Sequence, residues 1–334
     1  MVYKRVILKR GKEESLKRFH PWVFSGAIAR MDNIEEGDLV TVYDHEGNLI
    51  GNGHYQIGSI AVRILTFDDT EIDSAFFVKR LTEAFKMRQA LGLSRSDNNA
   101  FRLVHGEGDF LPGLVVDIYG STAVMQAHSP GMHFARNLIA DALTQLPNGV
   151  VKNVYYKSET TLPYKAQLDP QNEYIVGEYD TDVAMENGLK FHVDWVDSSA
   201  KAISLTDANV ELNFPNCERH KSFAVDAFKY LDEMGSDYDL IVLDPPAFAK
   251  HKNALRNALI GYRKLNAKAF EKIKPGGILF TFSCSQAVNK EQFRLAVFSA
   301  AAMSRRKVRI LHQLTQPADH PINIYHPEGE YLKG

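Results

Sequence analysis

Two short stretches hold the residues best suited to chemistry. The first is Asp244-Pro245-Pro246-Ala247-Phe248, which closes the apolar run YDLIVL. Two prolines after a carboxylate fix the backbone and remove two amide donors, so an acid and an aromatic are held rigidly for a flat ligand. The second is Cys284, between Ser283 and Ser285 at the end of GILFTFS. Asp226, closing KSFAVD, is a further acid in the same kind of place. Taken singly, Asp-Pro-Pro is also a strand-ending turn, and a lone cysteine is usually a small buried hydrophobe. At consecutive strand ends the two groups suit another task. C5 of cytosine is a poor nucleophile, but a thiolate added at C6 turns the ring into an enamine whose C5 can attack a methyl sulfonium. A carboxylic acid on the N3 edge would stabilise that adduct. The thiol, with a reference pKa of about 8.5, needs cationic neighbours. Cys217, in the polar segment NFPNCER, has no such setting and reads as structural.

The elements that must position these groups follow from pattern. Residues 1–70 read as β structure: segments 38–44, 48–55 and 60–66 are short and β-branched, separated by turn residues, which suits a small closed barrel. Residues 76–91 place Phe77, Leu81, Phe85 and Leu91 on one helical face. A polar surface loop is expected at 94–100. Two strands around Gly106-Glu107-Gly108-Asp109 follow, then strands at 121–128, 150–158, 174–179 and 189–195 and a helix near 131–145. From about residue 196 helices and strands alternate: a helix over 200–213 capped by Asp197, Ser198 or Ser199, and strands at 221–228 and 238–248. A basic helix over 254–273 is stopped by Pro275-Gly276-Gly277, and strands follow at 277–285, 307–313 and 323–334. Such alternation predicts a doubly wound sheet with helices on both faces, where ligands bind beyond the carboxyl ends of the strands.

Composition narrows the class. The chain has 334 residues, 45% hydrophobic and 24% charged, with a formal net charge of −2, which excludes disordered, collagen-like and coiled-coil readings. Two cysteines cannot form a disulfide scaffold, and no leader or membrane-length apolar run is visible, so a cytoplasmic protein is expected. The small net charge hides two basic blocks. Residues 1–30 hold eight Lys or Arg against Glu13 and Glu14, and residues 245–275 hold eight against Glu271. They read either as solvated faces or as localised phosphate-binding surfaces.

Over nearly its whole length the sequence resembles the bacterial large-subunit (23S) ribosomal RNA cytosine-5 methyltransferases that carry an N-terminal PUA domain. The matching stretches are HPWVFSGAI (20–28), RLVHGEGDFLPGLVVD (102–117), VDSSAKAI (196–203), FAVDAF (223–228), LDPPAF (243–248), SCS (283–285) and EGEYLKG (328–334). The resemblance implies an α/β protein of three parts: a PUA-like β-barrel over 1–72, a small mixed α/β domain over 73–190, and a Rossmann-like class I methyltransferase domain over 191–334. It implies S-adenosylmethionine as cofactor, no metal, and Cys284 and Asp244 as nucleophile and cytosine-binding acid. Asp197 would take the cofactor ribose and Asp226 would lie near the adenine, with Asp244 and Pro245 also against the cofactor. Ribosomal RNA is the implied partner, met by Pro246, Phe248, Lys250, Lys252 and Arg263 and, on the barrel, by Lys4, Arg5, Lys9 and Arg10. No membrane is expected, and a homodimer is the assembly considered. Pro246 stands where the wider RNA cytosine-5 group has a second cysteine.

One departure is large. The family has its first methyltransferase strand and glycine loop between the segments matching LKFHVDW and VDSSAKAI, whereas here Trp195 runs directly into Val196-Asp197. No glycine occurs between Gly188 and Gly235. Loss of a central strand should damage sheet and pocket together. Two alternatives follow: an RNA-binding protein without activity, and an amino-group RNA methyltransferase that uses Asp-Pro-Pro without Cys284.

Overall fold

The computed structural model describes residues 3–163, 166–178, 184–191, 199–249 and 252–334. The chain divides into two compact units, one of residues 1–220 with 318–327 and one of residues 221–317 with 328–334.

The first unit begins with β1 (Lys4–Leu8), α1 (Glu14–Lys17), β2 (Trp22–Phe24), β3 (Ile28–Met31), β4 (Leu39–Tyr43), β5 (Leu49–Tyr55) and β6 (Ile60–Thr66). They form one sheet in the order β2-β6-β5-β4-β1-β3. In a flat sheet of six strands the outer two would stand about 24 Å apart. Here β2 and β3 are those outer strands, and only the 3₁₀ turn Ser25–Ala27 joins them, so the sheet curls into a barrel. Val6, Leu8, Val23, Val40, Val42, Val62 and Ile64 fill it. The curl brings backbones close. A Cβ at Gly51 would lie 2.2 Å from the Thr66 carbonyl oxygen, and one at Gly53 2.1 Å from that of Arg63, so β5 tolerates only glycine there.

After the barrel come α2 (Ser74–Ala90), β7 (Ala100–His105), β8 (Leu114–Tyr119), β9 (Thr122–Ala127), α3 (Pro130–Phe134), α4 (Arg136–Thr144), β10 (Asn153–Tyr156) and β11 (Glu173–Val176). These strands make a second sheet, β11-β10-β9-β8-β7. Phe77, Leu81 and Phe85 enter its core as the helical spacing predicts, whereas Leu91, just beyond the end of α2, is 49% exposed. Asp73 caps α2 by accepting from the Phe76 amide. Within the expected surface loop 94–100, Asn98 is buried and donates to the carbonyls of Leu93 and Ala100. The Gly106–Asp109 turn is held by charge: buried Arg88 pairs with Asp109, which also accepts from the His105 amide at 2.6 Å. The same guanidinium donates to the carbonyls of Arg102 and Asp319. A hairpin of β12 (Ala184–Glu186) and β13 (Leu189–Phe191), then α5 (Ser199–Asn213), complete the unit's elements. Asp197 and Ser198, expected to cap α5, lie outside the described residues, as do 192–195 of the strand expected there and 179 of its predecessor.

The second unit holds α6 (Ala227–Glu233), β14 (Tyr238–Leu243), α7 (Leu255–Lys272), β15 (Ile273–Thr281) and α8 (Lys290–Met303). Strands β14 and β15 pair in parallel, with Leu243 opposite Thr281. Helix α7 ends three residues before Pro275, which disfavours helix at Lys274, and the chain turns at once into β15. Pro275-Gly276-Gly277 therefore lies within β15, where the register jumps, rather than after the helix as expected. Ile241 and Leu243 are buried in a core with Leu231, Leu265, Ala269 and Ile273. On the opposite face Leu240 (53% exposed), Val242 (58%) and Ile278 (46%) meet solvent.

The complete doubly wound sheet is thus not present among the described residues. Segment 221–226 forms no strand, and Asp226 instead caps α6. Segments 307–313 and 323–334 form none either: the closing residues pair only through Ser283–Lys333 and Leu314–Gly334, contacts too short to make a ladder. β14 finds one neighbour where a central parallel strand needs two. Among the described residues no helix is long and apolar enough to cross a membrane.

Candidate active site

The second unit brings the sequence-predicted groups to one end of its two strands. The amide of Phe282 donates to the Leu243 carbonyl at 2.9 Å, the last rung, and Asp244 and Cys284 follow directly on either side. The Cys284 thiol donates to the Pro245 carbonyl, with Sγ 3.9 Å from the oxygen. Asp244 and Pro246 are exposed, Pro245 and Cys284 half-buried. An acid and a thiol thus stand at the tips of adjacent parallel strands.

The walls behind them come from α7 and the final residues. Phe248 packs on Tyr262 with ring centroids 4.6 Å apart, and Tyr262 meets Phe293 of α8 edge-on at 5.3 Å. Packing against α7 thus accounts for the half-buried Phe248 ring. Tyr262 is fully buried, and burial raises its phenol above the usual range, against hydrogen bonding to Ser283 and Phe248 and with smaller help from the charges of Cys284 and Asp244. Ser283 and Ser285 are fully buried on either side of Cys284, and the Ser285 hydroxyl donates to the Ala249 carbonyl at 2.5 Å. Lys333, 5% exposed, exchanges two main-chain hydrogen bonds with Ser283 (2.8 and 3.0 Å). Its ammonium donates to the carbonyls of Ser285 at 2.7 Å and Tyr331 at 2.6 Å. Tyr262 and Lys333 are the residues that pattern reading missed. Tyr262 was hidden inside an ordinary amphipathic helix. Lys333 stood inside EGEYLKG, and only its distance of 48 residues from Ser285 concealed the contact.

The other expected groups are scattered. Asp226 is exposed, and its carboxylate accepts from the Lys229 amide as the cap of α6. Asp197 and Lys250 lie outside the described residues, as does the side chain of Lys252. Arg263 is half-buried on α7. Much of the second basic block is spent inside the unit: Lys268 pairs with Asp232, Lys272 donates to the Met234 carbonyl at 2.7 Å, and Lys274 pairs with Asp239 at 3.2 Å. On the barrel, Lys4 pairs with Asp38 at 2.7 Å, Arg5 lies over the Tyr43 ring, and Lys9 donates to the Gly26 carbonyl. Arg10 is exposed.

Comparison with known proteins agrees with this architecture. Residues 6–67 match the family described as a PUA-like domain. A structure from Streptococcus mutans described as a SAM-dependent methyltransferase superposes over 100% of this chain and 98% of its own, with a TM-score of 0.78 at 16% identity. The SMU.776 methyltransferase, solved with SAH, gives 0.79 at 17% over the same shares. The fold is therefore that of PUA-bearing α/β methyltransferases. Ribosomal RNA large subunit methyltransferase I of Klebsiella pneumoniae (strain 342) is 32% identical over 100% of this chain and 98% of the relative. That of Escherichia coli (strain SMS-3-5 / SECEC) is 32% identical over 99% and 98%. The chain belongs to the ribosomal RNA large subunit methyltransferase I family. The Klebsiella alignment runs over 394 positions against 334 residues here, so at least 60 of them, internal to the matched span, have no counterpart in this chain.

Proposed function

We propose that this protein serves S-adenosylmethionine-dependent methylation of large-subunit ribosomal RNA, at C5 of a cytosine. The observation that carries the reading is the Cys284 thiol 3.9 Å from the Pro245 carbonyl, beside Asp244 at the tips of β14 and β15. The target base leaves its stack to meet them, since neither group can reach a paired ring. Cys284 adds to C6 through its sulfur, and Asp244 hydrogen-bonds the N3 edge so that the charge pushed into the ring is held there. The enamine then has its nucleophilic carbon at C5. S-adenosylmethionine supplies the electrophilic methyl group that such a carbon takes. Barrel cations, with Arg10 exposed, would hold the RNA through phosphates, which position a strand without reading its sequence.

The residues present fit this cofactor at one end only. Asp244 and Pro245 suit the transfer end. At the other end no glycine occurs between Gly188 and Gly235, and β14 has a single neighbour among the described residues, so no glycine turn is supplied for the methionine part. That mismatch favours a second reading, an RNA-binding protein without turnover. Calorimetric titration with S-adenosylmethionine separates the two: micromolar binding sinks the second reading, and absence of heat sinks the first for this chain. An amino-group transfer would not need the thiol. A stable complex with RNA containing 5-fluorocytosine, lost in Cys284→Ala, excludes it.

A further inference from the structure

We propose that Lys333 is a positioning residue for Cys284: it holds both neighbours of the cysteine and places a buried ammonium within electrostatic reach of the thiol. The inference rests on the reading of Cys284 as the reacting group and goes beyond it, because neither strand nor helix fixes residues 283–285. β15 ends at Thr281, and beyond it the bridge from Ser283 to Lys333 ties these residues to the closing segment. The Lys333 side chain then doubles back to the Ser285 carbonyl at 2.7 Å, so one residue grips the chain on both sides of Cys284. Gly334 anchors the far side by two hydrogen bonds to Leu314, of 2.8 and 3.0 Å.

A buried ammonium held only by carbonyls is costly unless a negative charge is near. The carboxylate closest in sequence, Glu330, is paired with Lys290 at the start of α8. Burial pulls the Lys333 ammonium below the usual lysine range, while Cys284 and Glu330 act to restore it and Lys290 opposes them. Asp244 from β14's tip and Tyr262 from α7, the other titratable groups of this cluster, would both be negative if ionised. Lys333 is thus the group in this cluster whose charge favours a thiolate.

Labelling with iodoacetamide tests this without RNA or cofactor, so a null result here is distinct from failure of the methyl-transfer reading. The sulfur forms the new S–C bond, iodide leaves and the thiol proton passes to buffer, and Cys217 of the same chain is the internal reference. In Lys333→Met the Cys284-to-Cys217 rate ratio at neutral pH is expected to fall about tenfold, while Lys333→Arg keeps it. Should Lys333→Met melt early, the ratio is read in Lys333→Gln, with the same loss expected. An unchanged ratio in the neutral variant, or an equal loss in Lys333→Arg, would overturn the proposal.

Discussion

A Cβ at Gly261 would sit 3.0 Å from the Phe248 ring, and that absent methyl lets the Asp-Pro-Pro segment lie against α7. A glycine in mid-helix costs about 1 kcal/mol relative to alanine, which a close ring contact offsets. Gly261→Val should therefore destabilise the second unit by about 1–3 kcal/mol through overpacking, read as a lower urea midpoint. It should also slow the labelling of Cys284, whose partner Pro245 lies three residues before Phe248. At this scale the sequence was legible where chemistry announces itself. Asp244, Pro245 and Cys284 were singled out because an acid, two prolines and a thiol end apolar runs, and the structure sets Cys284 beside Pro245. Gly261 and Lys333 were not, since a helical glycine and a penultimate lysine give no signal until long-range partners are known.

Among the elements, the Gly106–Asp109 turn depends most on a single charge pair. Arg88 is fully buried, and Asp109 is its counterion. Removing one partner strands the other, so Arg88→Met or Asp109→Asn should each cost about 3–5 kcal/mol in urea unfolding, and the double variant less than the sum. Strands β5 and β7 add a pH dependence. Burial, helped by the Arg63 charge, lowers His54 to about 4, and burial beside His320 and Arg102 lowers His105 to about 4. Both are neutral when folded and take up protons when unfolded, so their contribution is intact above about pH 6.5 and is lost as pH falls from there toward 4. Unfolding midpoints measured across that window should fall, and His54→Gln should flatten the slope. Strands of the barrel and central sheet were legible from β-branched runs and turns. Helix α8 was passed over because Leu295 and Phe298 are 63% and 67% exposed and blur its apolar face. The strands expected at 221–228 and 307–313 failed for a different reason: a good strand sequence needs neighbours, and β14–β15 offers too few.

For the whole molecule, charge and the incomplete sheet lead to separate expectations. Arg10, Lys12 and Arg18 are exposed on the barrel, whereas Lys4 and Lys9 are already engaged. Replacing these three by glutamine should weaken RNA binding and reduce the slope of log affinity against log salt by about 2, measured on single-stranded RNA. The apolar face of Leu240, Val242 and Ile278 would be covered in a full doubly wound sheet. Inserting the Klebsiella relative's unmatched segment after Trp195 should bury that face, raise the melting midpoint and bring S-adenosylmethionine binding with it. The α/β class was legible from alternation and the gap from the missing glycines, whereas the full doubly wound order is not present among the described residues.

Tritium release from RNA carrying 5-tritiated cytosine tests the central claim without the cofactor. Addition of Cys284 at C6 makes C5 basic enough to take a solvent proton, and reversal then sheds tritium to water. The account predicts release by the unaltered chain, none from Cys284→Ala, and release slowed about a hundredfold in Asp244→Asn. No release from the unaltered chain, or release that survives Cys284→Ala, would contradict it.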